Sequence, residues 1–294
     1  MTDPPGTTSV SNPPPLHYAR AKFLLQGDSL TQLGFEGWAA HLANVYQRRA
    51  DILARGYGGY NTRMYLQLPI EDDLNNIALG ILLFGANDSG LAQYAAHHHV
   101  PVEEYRKNLQ KLYARLQKDY QCTRILFIGP PPVHHAQRLA YQKQRYGDKA
   151  TGILERTLEH TKLYADACAQ VAHDNHAPFL NLYQAMMEAD PKDWGRFFTD
   201  GLHFSSQGHD FVGKAVVEAI QTGFPELTVT ADPRTGQWCN SASSCPALPN
   251  HGGPFHDEID NEDVAAAFDK WNAALVEHQQ QQQDEGTKKR KRPE

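Results

Sequence analysis

What most constrains this 294-residue chain is an alternation of short strand-like segments, at residues 22–26, 51–55, 77–84, 124–128 and 179–182, with longer stretches of helical period. Strands joined through helices run parallel, because the crossover returns the chain to the same edge of the sheet. A parallel sheet carries helices on both faces. The expected fold class is therefore α/β, a three-layer α/β/α sandwich with a five-stranded parallel sheet. Val102, Tyr105, Leu109, Leu112 and Leu116 recur at steps of three and four, one stripe of a helix that packs on the sheet. Phe211, Val212, Ala215, Val216, Ala219 and Ile220 form a second stripe, preceded by Ser205 as its N-cap. In such sheets functional groups gather beyond the carboxyl ends of the strands.

Charge and punctuation bound the rest. With 28 Lys and Arg against 34 Asp and Glu, the formal charge is −6, which offers no general basic field for a phosphate backbone, so nucleic acid is not an expected partner. No apolar run approaches the roughly 18 residues of a membrane span. Residues 1–19 are Pro-, Thr- and Ser-rich, without the apolar stretch of a secretory signal; they are expected to be a disordered arm, and the chain to be cytoplasmic. The main domain is placed at 20–223. A C-terminal extension at 224–277 carries Val264, Phe268, Trp271 and Leu275 on one face of a helix expected to dock. Residues 278–294, Gln-rich and then basic, are expected to be disordered. The run from Lys288 to Arg292 has the composition of a nuclear import signal as well as of a solvated chain end, which makes a nuclear location the alternative. Of the four cysteines, only Cys239 and Cys245 stand close enough in sequence to suggest a pair, and reduced thiols are the default without secretion. His97-His98-His99 and His134-His135 are adjacent runs without the spacing of a tetrahedral site, so no metal and no cofactor is expected.

The strand ends carry the chemistry. The first strand runs into Gly27-Asp28-Ser29-Leu30, a small residue, an acid and a hydroxyl at a strand-to-helix turn. A serine there is either a helix cap or a nucleophile whose own N–H faces a developing oxyanion. The second strand ends in Gly56-Tyr57-Gly58-Gly59, which allows a sharp turn with an N–H pointing outward, and the third in Gly85-Ala86-Asn87-Asp88, which offers an amide donor. Before the last core helix, Asp200 stands three residues ahead of His203, within reach of its ring. A carboxylate on one imidazole nitrogen leaves the other free to act as general base.

Taken together and in order, these four blocks resemble those of the SGNH hydrolases, the GDSL esterases and lipases. Local stretches from Arg55 to Arg63, Val100 to Tyr105, Pro130 to Val133 and Asp200 to His203 are further similar to the isoamyl acetate-hydrolysing esterase branch, over about residues 20 to 220. That branch usually has a serine where this chain has Gly58. The resemblance implies a flavodoxin-like fold and a serine esterase, with Ser29, Asp200 and His203 catalytic and Ser29, Gly59 and Asn87 forming the oxyanion hole. It implies small-molecule esters, short-chain acetates, as substrates. Acetylated carbohydrate, lysophospholipid or acyl-transfer chemistry on the same triad, and an inactive scaffold, are the alternatives.

Overall fold

The computed structural model describes residues 19–230, 247–248, 253–254 and 256–290. Its five strands are β1 (Ala21–Gly27), β2 (Ala50–Gly56), β3 (Ile77–Leu83), β4 (Ile125–Ile128) and β5 (Phe179–Leu180). All pair in parallel, in the order β2-β1-β3-β4-β5. The expected α/β class and five-stranded parallel sheet are what the fold shows. The chain leaves β1 toward β2 and then returns across β1 to β3, so the switch of direction falls at β1 and β3. A crevice opens at such a point because the two connections depart to opposite sides. Gly27 pairs with Gly56 on one side and with Leu83 on the other, which brings three strand ends level.

The helices, in chain order, are α1 (Ser29–Gln32), α2 (Trp38–Val45), α3 (Thr62–Tyr65), α4 (Val102–Lys118), α5 (His135–Tyr146), α6 (Leu158–Asp174), α7 (Leu182–Ala189), α8 (Ser206–Gly223) and α9 (Val264–Arg290). Successive strand residues face opposite layers. Phe23 and Leu25 of β1 join Trp38, Leu42, Val212, Val216 and Ile220 of α2 and α8 in one core cluster. Leu24 joins Leu109, Leu112, Leu116, Tyr164 and Val171 of α4 and α6 in the other. The two stripes read from the sequence are thus the buried faces of α4 and α8. Acidic Glu103 and Glu104 in the first turn of α4, with Arg115 and Lys118 in its last, complement the helix dipole. Ser205 caps α8, its hydroxyl accepting from Gly208 N at 3.1 Å.

Two boundaries differ from expectation by more than one residue. β5 ends at Leu180 rather than 182, because the Asn181 side chain accepts from Gln184 N at 3.1 Å and starts α7. The last helix does not stop at 277: α9 continues through the Gln run to Arg290, where composition alone suggested disorder. Gln, Glu and Lys lose little rotamer freedom in a helix, so such a segment extends a helix once one is nucleated. The chain divides into two compact units, one of residues 20–255 and one containing α9. Cys239, Cys245 and the N-terminal arm to residue 18 lie outside the described residues. No described helix is long and apolar enough to cross a membrane.

Candidate active site

Ser29 sits at the first position of α1, directly beyond β1. The turn is sharp because Gly27 lies against its neighbours: a Cβ there would stand 2.1 Å from Thr31 Oγ1 and 2.5 Å from Leu83 O. Asp28 caps the helix, its carboxylate accepting from Leu30 N at 2.9 Å. The cap role therefore falls to Asp28, and the Ser29 hydroxyl is left to face His203.

The contact spans the chain. Ser29 Oγ lies 3.0 Å from His203 Nε2, and His203 Nδ1 lies 2.9 Å from Asp200 Oδ2. Asp200 Oδ1 also accepts from the backbone N–H groups of Leu202 (3.0 Å) and His203 (2.8 Å). Burial acts to raise the Asp200 carboxyl, but the hydrogen bonds from the His203 ring and backbone outweigh it and hold the group well below the usual carboxylate range. The loop is clasped by an isolated bridge between Phe198 and Phe204 and by Thr199 N donating to His203 O at 2.9 Å.

Three donors lie in the turns that follow β1, β2 and β3. The N–H groups of Ser29 and Gly59 donate to no acceptor among the described residues. Gly59 has φ +79°, a conformation that a residue with a side chain adopts only under strain. Asn87 is 5% exposed; its Nδ2 donates to Tyr60 O at 3.0 Å, which leaves one further N–H on the same nitrogen. Asp88 links the loops, its Oδ1 accepting from Thr62 N at 3.0 Å and from the Thr62 hydroxyl. All five site residues expected from the sequence (Ser29, Gly59, Asn87, Asp200 and His203) thus gather where the ends of β1, β2 and β3 meet the loop before α8.

Sequence reasoning missed three others. Arg138 Nη1 donates to Asp200 Oδ2 at 3.1 Å, and Arg156 Nη2 donates to Asn87 Oδ1 at 2.8 Å. Glu155 accepts from both guanidinium groups. No motif marks these positions, since isolated charges in a sequence look like solvated surface. Three rings of the histidine runs meet backbone: His99 Nδ1 lies 2.7 Å from Gly90 O, His134 caps α5, and His135 Nε2 accepts from Leu158 N at 2.7 Å. Among the described residues no group of three potential ligands is placed to hold a metal ion.

Two carboxyls of the strand-end turns, Asp28 and Asp88, are buried. Burial pushes Asp28 up to about 6 and Asp88 up to about 7, against the lowering effect of their hydrogen bonds. An unfolded carboxyl ionises near pH 4, so between about pH 4 and 7 the folded state holds more protons and stability declines as pH rises through that window. Asp88→Asn keeps an acceptor for Thr62 and carries no charge. Its stability relative to the wild type is expected to rise by on the order of 2 kcal/mol from pH 5 to pH 8, read by urea unfolding. An unchanged difference would mean that Asp88 is ionised throughout.

A parallel α/β sheet with a hydroxyl, an imidazole and a carboxylate in series at its switch point has the arrangement of a serine hydrolase. The model of the GDSL-like lipase/acylhydrolase family matches residues 25–211. The chain belongs to that family. It is 39% identical over 202 residues to a GDSL esterase/lipase of Arabidopsis thaliana, covering 66% of this chain and 82% of the relative. It is 33% identical over 218 residues to the isoamyl acetate-hydrolyzing esterase of Saccharomyces cerevisiae, covering 70% of this chain and 88% of that one. In fold it resembles a lipase/acylhydrolase from Enterococcus faecalis, with TM-score 0.53 and 22% identity over 69% of this chain and 96% of the other.

Proposed function

We propose that the protein hydrolyses short-chain acyl esters of small alcohols, acetates foremost, through a covalent acyl-enzyme on Ser29. The observation that carries this reading is the 3.0 Å contact of Ser29 Oγ with His203 Nε2, continued at 2.9 Å to Asp200. Ser29 Oγ attacks the ester carbonyl carbon while His203 Nε2 takes its proton. The tetrahedral intermediate collapses, the C–O bond to the alcohol breaks, and His203 returns the proton to the departing oxygen. Water then attacks the acyl-enzyme by the same route, releasing the carboxylic acid and restoring the serine hydroxyl. Asp200 holds the tautomer in which Nδ1 donates and Nε2 accepts, and its charge steadies the imidazolium. Ser29 N–H, Gly59 N–H and the free N–H of Asn87 meet the negative charge that develops on the carbonyl oxygen.

The acyl preference rests on likeness to the yeast relative, whose name specifies an acetate ester. It is tested by kcat/KM across p-nitrophenyl acetate, butyrate and octanoate. The expected maximum is at acetate or butyrate, with octanoate at least about 10-fold lower, since each methylene a pocket cannot accept costs about 1 kcal/mol or more. A maximum at octanoate would point to a lysophospholipid-type substrate and overturn the short-ester reading.

A further inference from the structure

Three ions with no step in the proposed reaction are buried beside it. The side chains of Arg138, Glu155 and Arg156 are 11%, 15% and 4% exposed. Charges at that depth persist only when paired and hydrogen-bonded, because taking an ion out of water is costly. The pairing here is shared. Glu155 accepts from Arg138 Nε and, at 3.1 Å, from Arg156 Nη1, while Arg138 spends a further N–H on Asp200. An unbroken chain of hydrogen bonds thus runs from His203 through Asp200, Arg138, Glu155 and Arg156 to Asn87.

The far end of that chain reaches the reacting centre in a specific way. Arg156 Nε donates to Ala86 O at 2.7 Å and Nη2 to Asn87 Oδ1 at 2.8 Å, so one planar guanidinium grips the turn after β3 at both its backbone and its side chain. An Asn amide has two faces, and only one serves. With the oxygen toward the crevice it would repel a developing oxyanion; with the nitrogen there it donates. Arg156 demands an acceptor on its side and Tyr60 O demands a donor on the other, and both demands select the same orientation.

We propose that Arg156 is a positioning residue that locks the Asn87 amide with its N–H toward the nucleophile. It acts on the oxyanion through Asn87 alone, without touching the substrate. The inference rests on the proposed ester chemistry. A purely structural role, neutralising Glu155, would lower activity only through loss of folded protein and would add to any Asn87 defect.

A four-member cycle separates these roles: wild type, Asn87→Ala, Arg156→Met and the double variant, each assayed for kcat and KM with p-nitrophenyl acetate and checked by thermal unfolding. Asn87→Ala is expected to lose about 10²–10³ in kcat. Arg156→Met is expected to lose about 10–10² in kcat with KM within about twofold, and the double variant to be no slower than Asn87→Ala within about twofold. Losses that multiply in the double variant, with Asn87→Ala impaired, would overturn the role of Arg156 and leave the site reading standing. Asn87→Ala at the wild-type rate would instead overturn the oxyanion role of Asn87, and the inference with it. Should Arg156→Met fail to fold, Arg156→Lys carries the same cycle. It keeps a charge opposite Glu155 and loses the fork that reaches Ala86 O, Asn87 and Glu155 at once.

Discussion

Ser29→Ala is expected to lower kcat for p-nitrophenyl acetate by about 10⁶-fold and to abolish labelling by a fluorophosphonate probe, with no loss of stability. The effect is large because the hydroxyl supplies the bond that divides a difficult displacement into two easier ones. Without Oγ, His203 has only water to activate, and the donors of the oxyanion site act on an unassisted attack. The backbone N–H of residue 29 survives the change, so the variant isolates covalent catalysis from electrostatic stabilisation. Stability is spared because Asp28, not Ser29, caps α1 through Leu30 N, and Ser29 Oγ makes its bond to a half-buried imidazole. Turnover within tenfold of wild type by a homogeneous, folded Ser29→Ala preparation would remove Ser29 as nucleophile.

The candidate site was legible in the sequence because each proposed reacting group stands near a glycine that shapes the backbone. Gly27 lets the nucleophile turn press on Leu83 O, Gly59 adopts φ +79°, and Gly201 adopts φ +80° between Asp200 and His203. The strands were legible for a related reason: buried parallel strands are short runs rich in apolar residues, and β1 and β2 end at Gly27 and Gly56. Where a strand end carried a cap instead, as at Asn181, the expected boundary ran two residues long. Arg138, Glu155 and Arg156 were not legible, since a charged residue becomes an interior group only when its partners arrive from other elements. Arg138 comes from α5, Asp200 from the loop before α8 and Asn87 from the end of β3. No local pattern encodes that convergence. The course of α9 was missed on composition, because a run of glutamines without apolar residues says nothing against a helix.

The same convergence sets the second large effect. His203→Ala is expected to cost about as much as loss of the nucleophile, on the order of 10⁶ in kcat, since Ser and His act as one unit. The imidazole is the only group in hydrogen-bond contact with Ser29 Oγ among the described residues, so nothing else there can take the proton. The wild-type rate, followed from pH 8 down to pH 5, is therefore expected to fall on the acid side, because an imidazole with a proton on both nitrogens cannot accept one from serine. Asp200 contributes nothing to this limb, because hydrogen bonds hold its carboxyl ionised throughout the window. Asp88 and Asp28 also ionise there, pushed up by burial to about 7 and about 6; Asp88→Asn separates the first, and the second is the carboxyl adjoining Ser29. Asp28→Asn removes that titration and retains an acceptor for Leu30 N. The acid limb should persist in Asp28→Asn, and the residual rate of His203→Ala should lack it. A limb that vanishes in Asp28→Asn would assign the pH dependence to the buried carboxyl adjoining Ser29, and a rate flat from pH 5 to 8 in the wild type would deny His203 the role of base.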